Sequence, residues 1–328
     1  MYVATRGRTM KWRIQFPIRI WGSIWAPRSS DKSGPRSWSR HYFESPLVRL
    51  MKEHGYRDVY SAGLEMAPDA PVEPQSVIIY RYYDQVSASF GEGKTESIEQ
   101  FAQGLSDLIL KLKERVCVDE DDVKIFRVYL FGHSMGGLVI RCFIQNPNVG
   151  NADEKKLVDK IFTHAAPHNG IEFEIVGKVP GVFSTYTIDN FNRSRMTQYL
   201  ALSSTHGSTP DRVDTLDGKF DPNRFFCLVG TNAKDYAVAK GWSSRVVGPI
   251  SDGLVRITNA TVSSESNGSK IQAPRAFVHR SHSGYYGIVN SEEGYQNLTR
   301  FLFGDVRVDG VLEISDLSLP PENRTSTA

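Results

Sequence analysis

The chain has 328 residues, 40% hydrophobic and 23% charged, a balance that fits one large α/β domain or two modest ones and a core large enough to shelter a polar site. A formal net charge of +2 argues against nucleic acid as the main partner. Three cysteines, Cys117, Cys142 and Cys227, with no CxxC or Cys/His cluster, suggest neither a disulfide framework nor structural zinc; they read as buried thiols in a reducing compartment.

The N-terminal stretch MYVATRGRTMKWRIQFPIRIWGSIW is basic but has no uninterrupted apolar core and no small-residue cleavage site. Nor does the chain contain a run of about 18 apolar residues. The expectation is a cytoplasmic protein with no transmembrane segment. SVIIYRYYDQ is β-branched and aromatic and reads as a buried strand. In the following TESIEQFAQGLSDLILKLKERV, Ile98, Phe101, Leu105, Leu108, Leu112 and Val116 recur at helical spacing, and Ser97 with Gln100 forms a capping-box pattern.

A strand from Ile125 to Phe131 then leads through GHSMGG into a helix that starts near Ser134 and ends by Pro147. KLVDKIFTHA and RFFCLVGT read as two further strands. SEEGYQNLTRFLFG reads as a last helix, with Ser291 as N-cap, Tyr295, Leu298, Phe301 and Leu302 as its apolar stripe, and Gly304 as its stop. Continuous apolar strands alternating with helices imply a mostly parallel sheet covered on both faces. Residues 171–224 carry no clear strand and read as a lid-like or cap-like insertion, with Phe173, Phe183, Tyr186, Phe191 and Tyr199 scattered through it. The domain expected is 1–306, followed by a tail over 307–328.

Gly-x-Ser-x-Gly is weak evidence alone. Here it directly follows an apolar strand and directly opens an apolar helix. A sharp strand-to-helix turn puts the serine in a strained backbone conformation, and small neighbours let the two backbones approach. The hydroxyl of Ser134 is then presented at a helix N-terminus, where amides and the helix dipole favour a developing anion.

GHSMGG resembles the nucleophile elbow of the α/β-hydrolase superfamily, in its lipase and esterase branch. THAAPHNG resembles a turn of that branch, with Ala166 in place of a threonine. SDGLVRITNA resembles the stretch carrying the acid, and VHRSHSGYYGIVNSEEGYQNLTRFL resembles the histidine loop and terminal helix. Together these span about residues 15 to 305. The resemblance implies an α/β-hydrolase fold and the chain order serine, acid, histidine, which Ser134, Asp252 and His282 fit. His282 is preferred as base because Ser283 and Gly284 follow it as a flexible turn; His279, after an apolar strand end, is the alternative. Oxyanion donors are expected at the Met135 amide and at Ser23, where Trp21-Gly22-Ser23 stands in place of the usual His-Gly-x. His133, His168, Phe183 and Tyr186 are expected to line a substrate pocket.

The function so implied is a carboxylic ester hydrolase of the carboxylesterase or lipase type, acting on a hydrophobic ester through an acyl-enzyme, with no cofactor and no metal. An acyltransferase or amidase on the same triad is one alternative. A non-catalytic binding protein of the same fold is another, from a different class.

Overall fold

Apolar runs bounded by turn residues become the strands of one sheet. The computed structural model describes residues 15–20, 24–27, 38–41, 45–61, 65–66, 72–80, 82, 97–171, 189–203, 211–235, 250–266, 268–284, 287–306, 308, 313 and 315–316. The strands are β1 (Gln15–Ile20), β2 (Arg57–Asp58), β3 (Ser76–Tyr80), β4 (Arg127–His133), β5 (Val158–His164), β6 (Phe225–Gly230) and β7 (Arg275–Val278). They lie in the order β7-β6-β5-β4-β1-β3-β2, and every pairing is parallel.

That order creates the site. From β1 the chain moves outward to β2 and β3, and then β4 enters on the other side of β1. The connections leaving these neighbours diverge, which opens a crevice at their carboxyl ends. The register aligns Ile20 with Gly132, so the end of β1 and the GHSMGG turn lie side by side.

Strand side chains alternate between two apolar layers. Val128 and Leu130 of β4 and Phe225, Cys227 and Val229 of β6 enter one core, shared with helices α2 (Ile98–Val116) and α4 (Met135–Gln145). Tyr129, Phe131, Phe162 and Leu228 enter the other, shared with α1 (Ser45–His54) and α7 (Glu292–Phe303). Helices therefore cover both faces.

Local signals act where the sequence places them. Ser97 Oγ accepts from the Gln100 amide at 3.3 Å, and Gln100 Oε1 accepts from the Ser97 amide at 2.7 Å, so α2 begins with a full capping box. Ser291 Oγ accepts from the Gly294 amide at 2.9 Å and caps α7. At the other end of α7, Gly304 has a φ of −74° and makes no left-handed turn. Instead Lys160 on β5 donates to the carbonyls of Phe301, Leu302 and Gly304 at 2.8, 3.0 and 3.1 Å, supplying the cationic C-cap from a different element.

One expectation is corrected. The strand expected from Ile125 starts at Arg127, because Glu120–Ile125 is a short helix, α3, capped by Asp119. Between 171 and 224, residues 172–188, including Phe183 and Tyr186, and 204–210 lie outside the described residues. In the described remainder several apolar side chains join the core. Phe191, Met196, Tyr199, Leu200, Val213 and Leu216 are buried in the α2/α4 layer, with helix α6 (Arg193–Tyr199) among them (α5 is Ala152–Lys156).

Arg141 on α4 ties this segment down. Its guanidinium is fully buried and donates to Gln145 Oε1 and to the carbonyls of His168, Val213 and Thr215, each at 2.8 Å. Burial pushes its pKa down to about 10. On truncation Gln145 Oε1 and the His168 and Val213 carbonyls would lose this donor, while the Thr215 carbonyl keeps Gln145 Nε2 at 3.1 Å, and a buried unpaired acceptor costs about 1–3 kcal/mol. Arg141→Met should therefore lower the unfolding free energy by about 3 kcal/mol or more in urea titration, a loss that one surface-type hydrogen bond does not produce.

Candidate active site

The turn after β4 is built by steric exclusion. Ser134 has φ 53° and ψ −123°, a conformation that L-residues rarely hold. A Cβ on Gly132 would stand 2.7 Å from the Gly136 carbonyl carbon and 2.8 Å from the Gly137 nitrogen. A Cβ on Gly137 would stand 2.5 Å from Ala166 Cβ and 3.2 Å from Thr163 Cγ2. Strand, helix and the 163–166 turn are thus in backbone-level contact, and Ala166 has to be small. The Ser134 amide donates to the His164 carbonyl at 3.0 Å, fastening the turn to the end of β5.

Burial isolates one residue. From Val128 to Asn146 every residue is buried except Ser134, which is half-buried. No side-chain cap engages its hydroxyl in α4, although it occupies the N-cap position. Met135 is the first residue of that helix, and first-turn amides point out of a helix N-terminus toward whatever lies there.

Two loops converge on Ser134. His282 Nε2 is 3.0 Å from Ser134 Oγ, and His282 Nδ1 is 2.9 Å from Asp252 Oδ2. A carboxylate only accepts, so Nδ1 carries the proton and Nε2 accepts from the serine hydroxyl. Asp252 Oδ1 accepts the Leu254 and Val255 amides at 3.0 and 2.7 Å. With the imidazole on Oδ2, these bonds satisfy a carboxylate that is only 1% exposed. Main-chain contacts repeat the side-chain ones: the His282 amide donates to the Asp252 carbonyl at 2.8 Å.

Gly230, the last residue of β6, makes room for this meeting. A Cβ there would lie 2.6 Å from the Arg280 carbonyl oxygen and 2.8 Å from Asp252 Cβ. Sequence reasoning passed over it, although a glycine closing the apolar run FFCLVG is a visible signal. Asn169 and Asn259 were also missed. Asn169 Nδ2 donates to Asn259 Oδ1 at 3.1 Å and Asn169 Oδ1 accepts the Val213 amide at 2.8 Å, linking the 165–170 turn to the acid loop.

Ser134, Asp252 and His282 are thus brought together. His279 is exposed, beyond the end of β7, and takes no part in the cluster. His133 Nε2 lies 2.8 Å from the His282 carbonyl oxygen, behind the histidine loop. His168 is fully buried with Nε2 3.0 Å from Thr163 Oγ1, and burial together with Arg141 holds its pKa well below the usual histidine value. The hydrogen bonds of both rings are thus to protein groups. Ser23, Phe183 and Tyr186 lie outside the described residues. Among the described residues no group of three or more His, Cys, Asp and Glu side chains could hold a metal ion, and no helix is long and apolar enough to cross a membrane.

A family model, the PGAP1-like alpha/beta domain, matches residues 87–191, which include the elbow. No curated protein matches the chain. Among solved structures, phospholipase PlaB from Legionella pneumophila is 16% identical, with 88% of this chain and 59% of that chain covered and a TM-score of 0.51. The chain therefore spans somewhat more than half of that protein's length. The lipase BlEst2 of Bacillus licheniformis in its mature form is 15% identical over 63% of this chain and 73% of that chain, with a TM-score of 0.39. Together with the strand order, the phospholipase likeness shows that this chain has the α/β-hydrolase fold.

The strained serine predicts a stability signature independent of any chemistry. Ser134→Gly and Ser134→Ala both lose the hydroxyl, but only glycine relaxes at φ 53°. Ser134→Gly should be the more stable of the two by about 1 kcal/mol, the reverse of their usual order, in paired thermal or urea unfolding.

Proposed function

We propose that this chain is a carboxylic ester hydrolase in which Ser134 is the nucleophile, His282 the general base and Asp252 the group that orients it. One observation carries the reading. A single hydrogen-bonded line runs from Asp252 through His282 to Ser134 Oγ, and Ser134 is the half-buried residue in the buried run from Val128 to Asn146.

In this mechanism Ser134 Oγ attacks the acyl carbon while its proton passes to His282 Nε2. The imidazolium is stabilised by Asp252, which keeps its own two amide bonds throughout. The oxyanion forms at the N-terminus of α4, where the Met135 amide is one proposed donor and the Ser23 amide the second. His282 returns the proton to the leaving alcohol. Water then repeats the cycle on the acyl-enzyme, losing its proton to His282 and releasing the acid and free Ser134. Every proton is carried by the one imidazole, and the scheme calls for no cofactor.

The phospholipase that shares the fold makes lipid esters the natural first substrates to try after p-nitrophenyl esters. A chain-length series from acetate to palmitate should show turnover, and its optimum separates a short-chain esterase from a lipase. Ser134→Ala and His282→Ala should each cost several orders of magnitude in kcat. Asp252→Asn should cost about 10⁴-fold, the loss expected when the base is held in the wrong tautomer. The Asp252→Asn/His282→Ala double variant should be little worse than His282→Ala, because the three groups act as a unit. His279→Ala should stay close to the wild-type rate. A dead His279→Ala beside an active His282→Ala would reverse the two roles.

A further inference from the structure

His282 is gripped at four points. Its ring nitrogens meet Ser134 Oγ and Asp252 Oδ2 at 3.0 and 2.9 Å. Its amide donates to the Asp252 carbonyl at 2.8 Å. Its own carbonyl oxygen lies 2.8 Å from Nε2 of His133, the residue directly before the serine. Three of these grips belong to the serine and the acid themselves. The fourth comes from a side chain that the proposed chemistry does not use.

Carbonyl oxygens only accept, so His133 must carry its proton on Nε2. The ring is buried, 4% exposed, and its centroid is 4.8 Å from that of His282 with the planes tilted by 45°. Such a placement suits a donor fixed by burial. His133 also sits at the last position of β4, so the strand that sets the nucleophile's position sets the height of the histidine loop as well. The loop is also tied on either side of His282, where the Asn232 amide donates to the Arg280 carbonyl at 3.2 Å and the Ile288 amide to the Ser281 carbonyl at 2.9 Å, while His133 acts on the His282 carbonyl itself. Ser281 and Gly284 flank the contact, and Gly284 adopts φ 97°.

We propose that His133 is a positioning residue. Its Nε2–H holds the His282 main chain so that the imidazole meets Ser134 and Asp252 in register, and it touches no substrate. The proposal rests on the Ser134–His282–Asp252 reading for its effect on rate, but the placement of His282 can be read without substrate. An ångström of misplacement at a reacting group can cost about 100-fold in rate, so a lost anchor should be felt in turnover rather than in binding.

The test compares His133→Phe, which keeps a buried ring but has no donor, with His133→Gln, which keeps an N–H donor. Two readouts are needed. One is kcat and KM on p-nitrophenyl butyrate. The other is the low-field proton NMR signal of the His282 Nδ1–H bonded to Asp252, identified by its absence in His282→Ala. His133→Phe should lose about 10- to 100-fold in kcat at nearly unchanged KM, and its low-field signal should shift or broaden. His133→Gln should restore much of both. The proposal is overturned if His133→Phe keeps the wild-type rate and signal, whatever its melting temperature, or if Phe and Gln lose both equally, which would mark a packing role. A wild-type protein that turns over no ester, but whose low-field proton still responds to His133→Phe, would overturn the hydrolase reading and leave the positioning of His282 standing.

Discussion

A serine held at φ 53° between a strand and a helix is the constraint on which the site depends. The turn is possible only because Gly132, Gly137 and Ala166 leave no side-chain volume where β4, α4 and the 163–166 turn meet. Larger residues there would push the helix off the strand. The same compression buries everything from Val128 to Asn146 but Ser134, so the Ser134 hydroxyl is displayed as a by-product of dense packing. The strain is held in place by the apolar layers on both faces of the sheet and by Arg141, three of whose hydrogen bonds lock the far half of α4 to the 168 and 213–215 backbones.

Around that fixed point the other groups are placed by loops, and here hydrogen bonds rather than packing set the geometry. Gly230 lets the acid and histidine loops cross at the end of β6. Asp252 uses one oxygen for its own loop's amides and the other for His282, so the conformation of the acid loop and the direction of the imidazole are coupled. Asn169 and Asn259 extend the coupling to the turn beside α4. The parallel sheet makes this economical, since every strand delivers its following loop to the same edge.

The strand-to-helix turn at Ser134 could be read from the sequence because its steric logic is local. The strand, the glycines, the serine and the helix follow one another within RVYLFGHSMGGLVIRCF. The caps Ser97 with Gln100 and Ser291 could be read for the same reason. What could not be read depends on partners far apart in the chain. His133 and the His282 carbonyl are 149 positions apart, and Arg141 reaches Thr215 across 74. Lys160 caps α7 from 141 positions away. The burial within 189–203 and 211–224 was illegible for a related reason. The apolar residues there are sparse among Asn, Arg and Ser, and the burial of Phe191, Met196, Tyr199 and Val213 is decided by α2 and α4 rather than by any period of their own.

On the proposed reading one hydroxyl, Ser134, is chemically activated by its place in the fold. The most direct measurement is reaction of the folded protein with a fluorophosphonate, followed by peptide mapping of the adduct by mass spectrometry. A single phosphonyl group on the peptide carrying Ser134, formed in the native protein and absent after unfolding in urea, is the result predicted. Labelling at another serine, or none under conditions that inactivate serine esterases, would contradict the account.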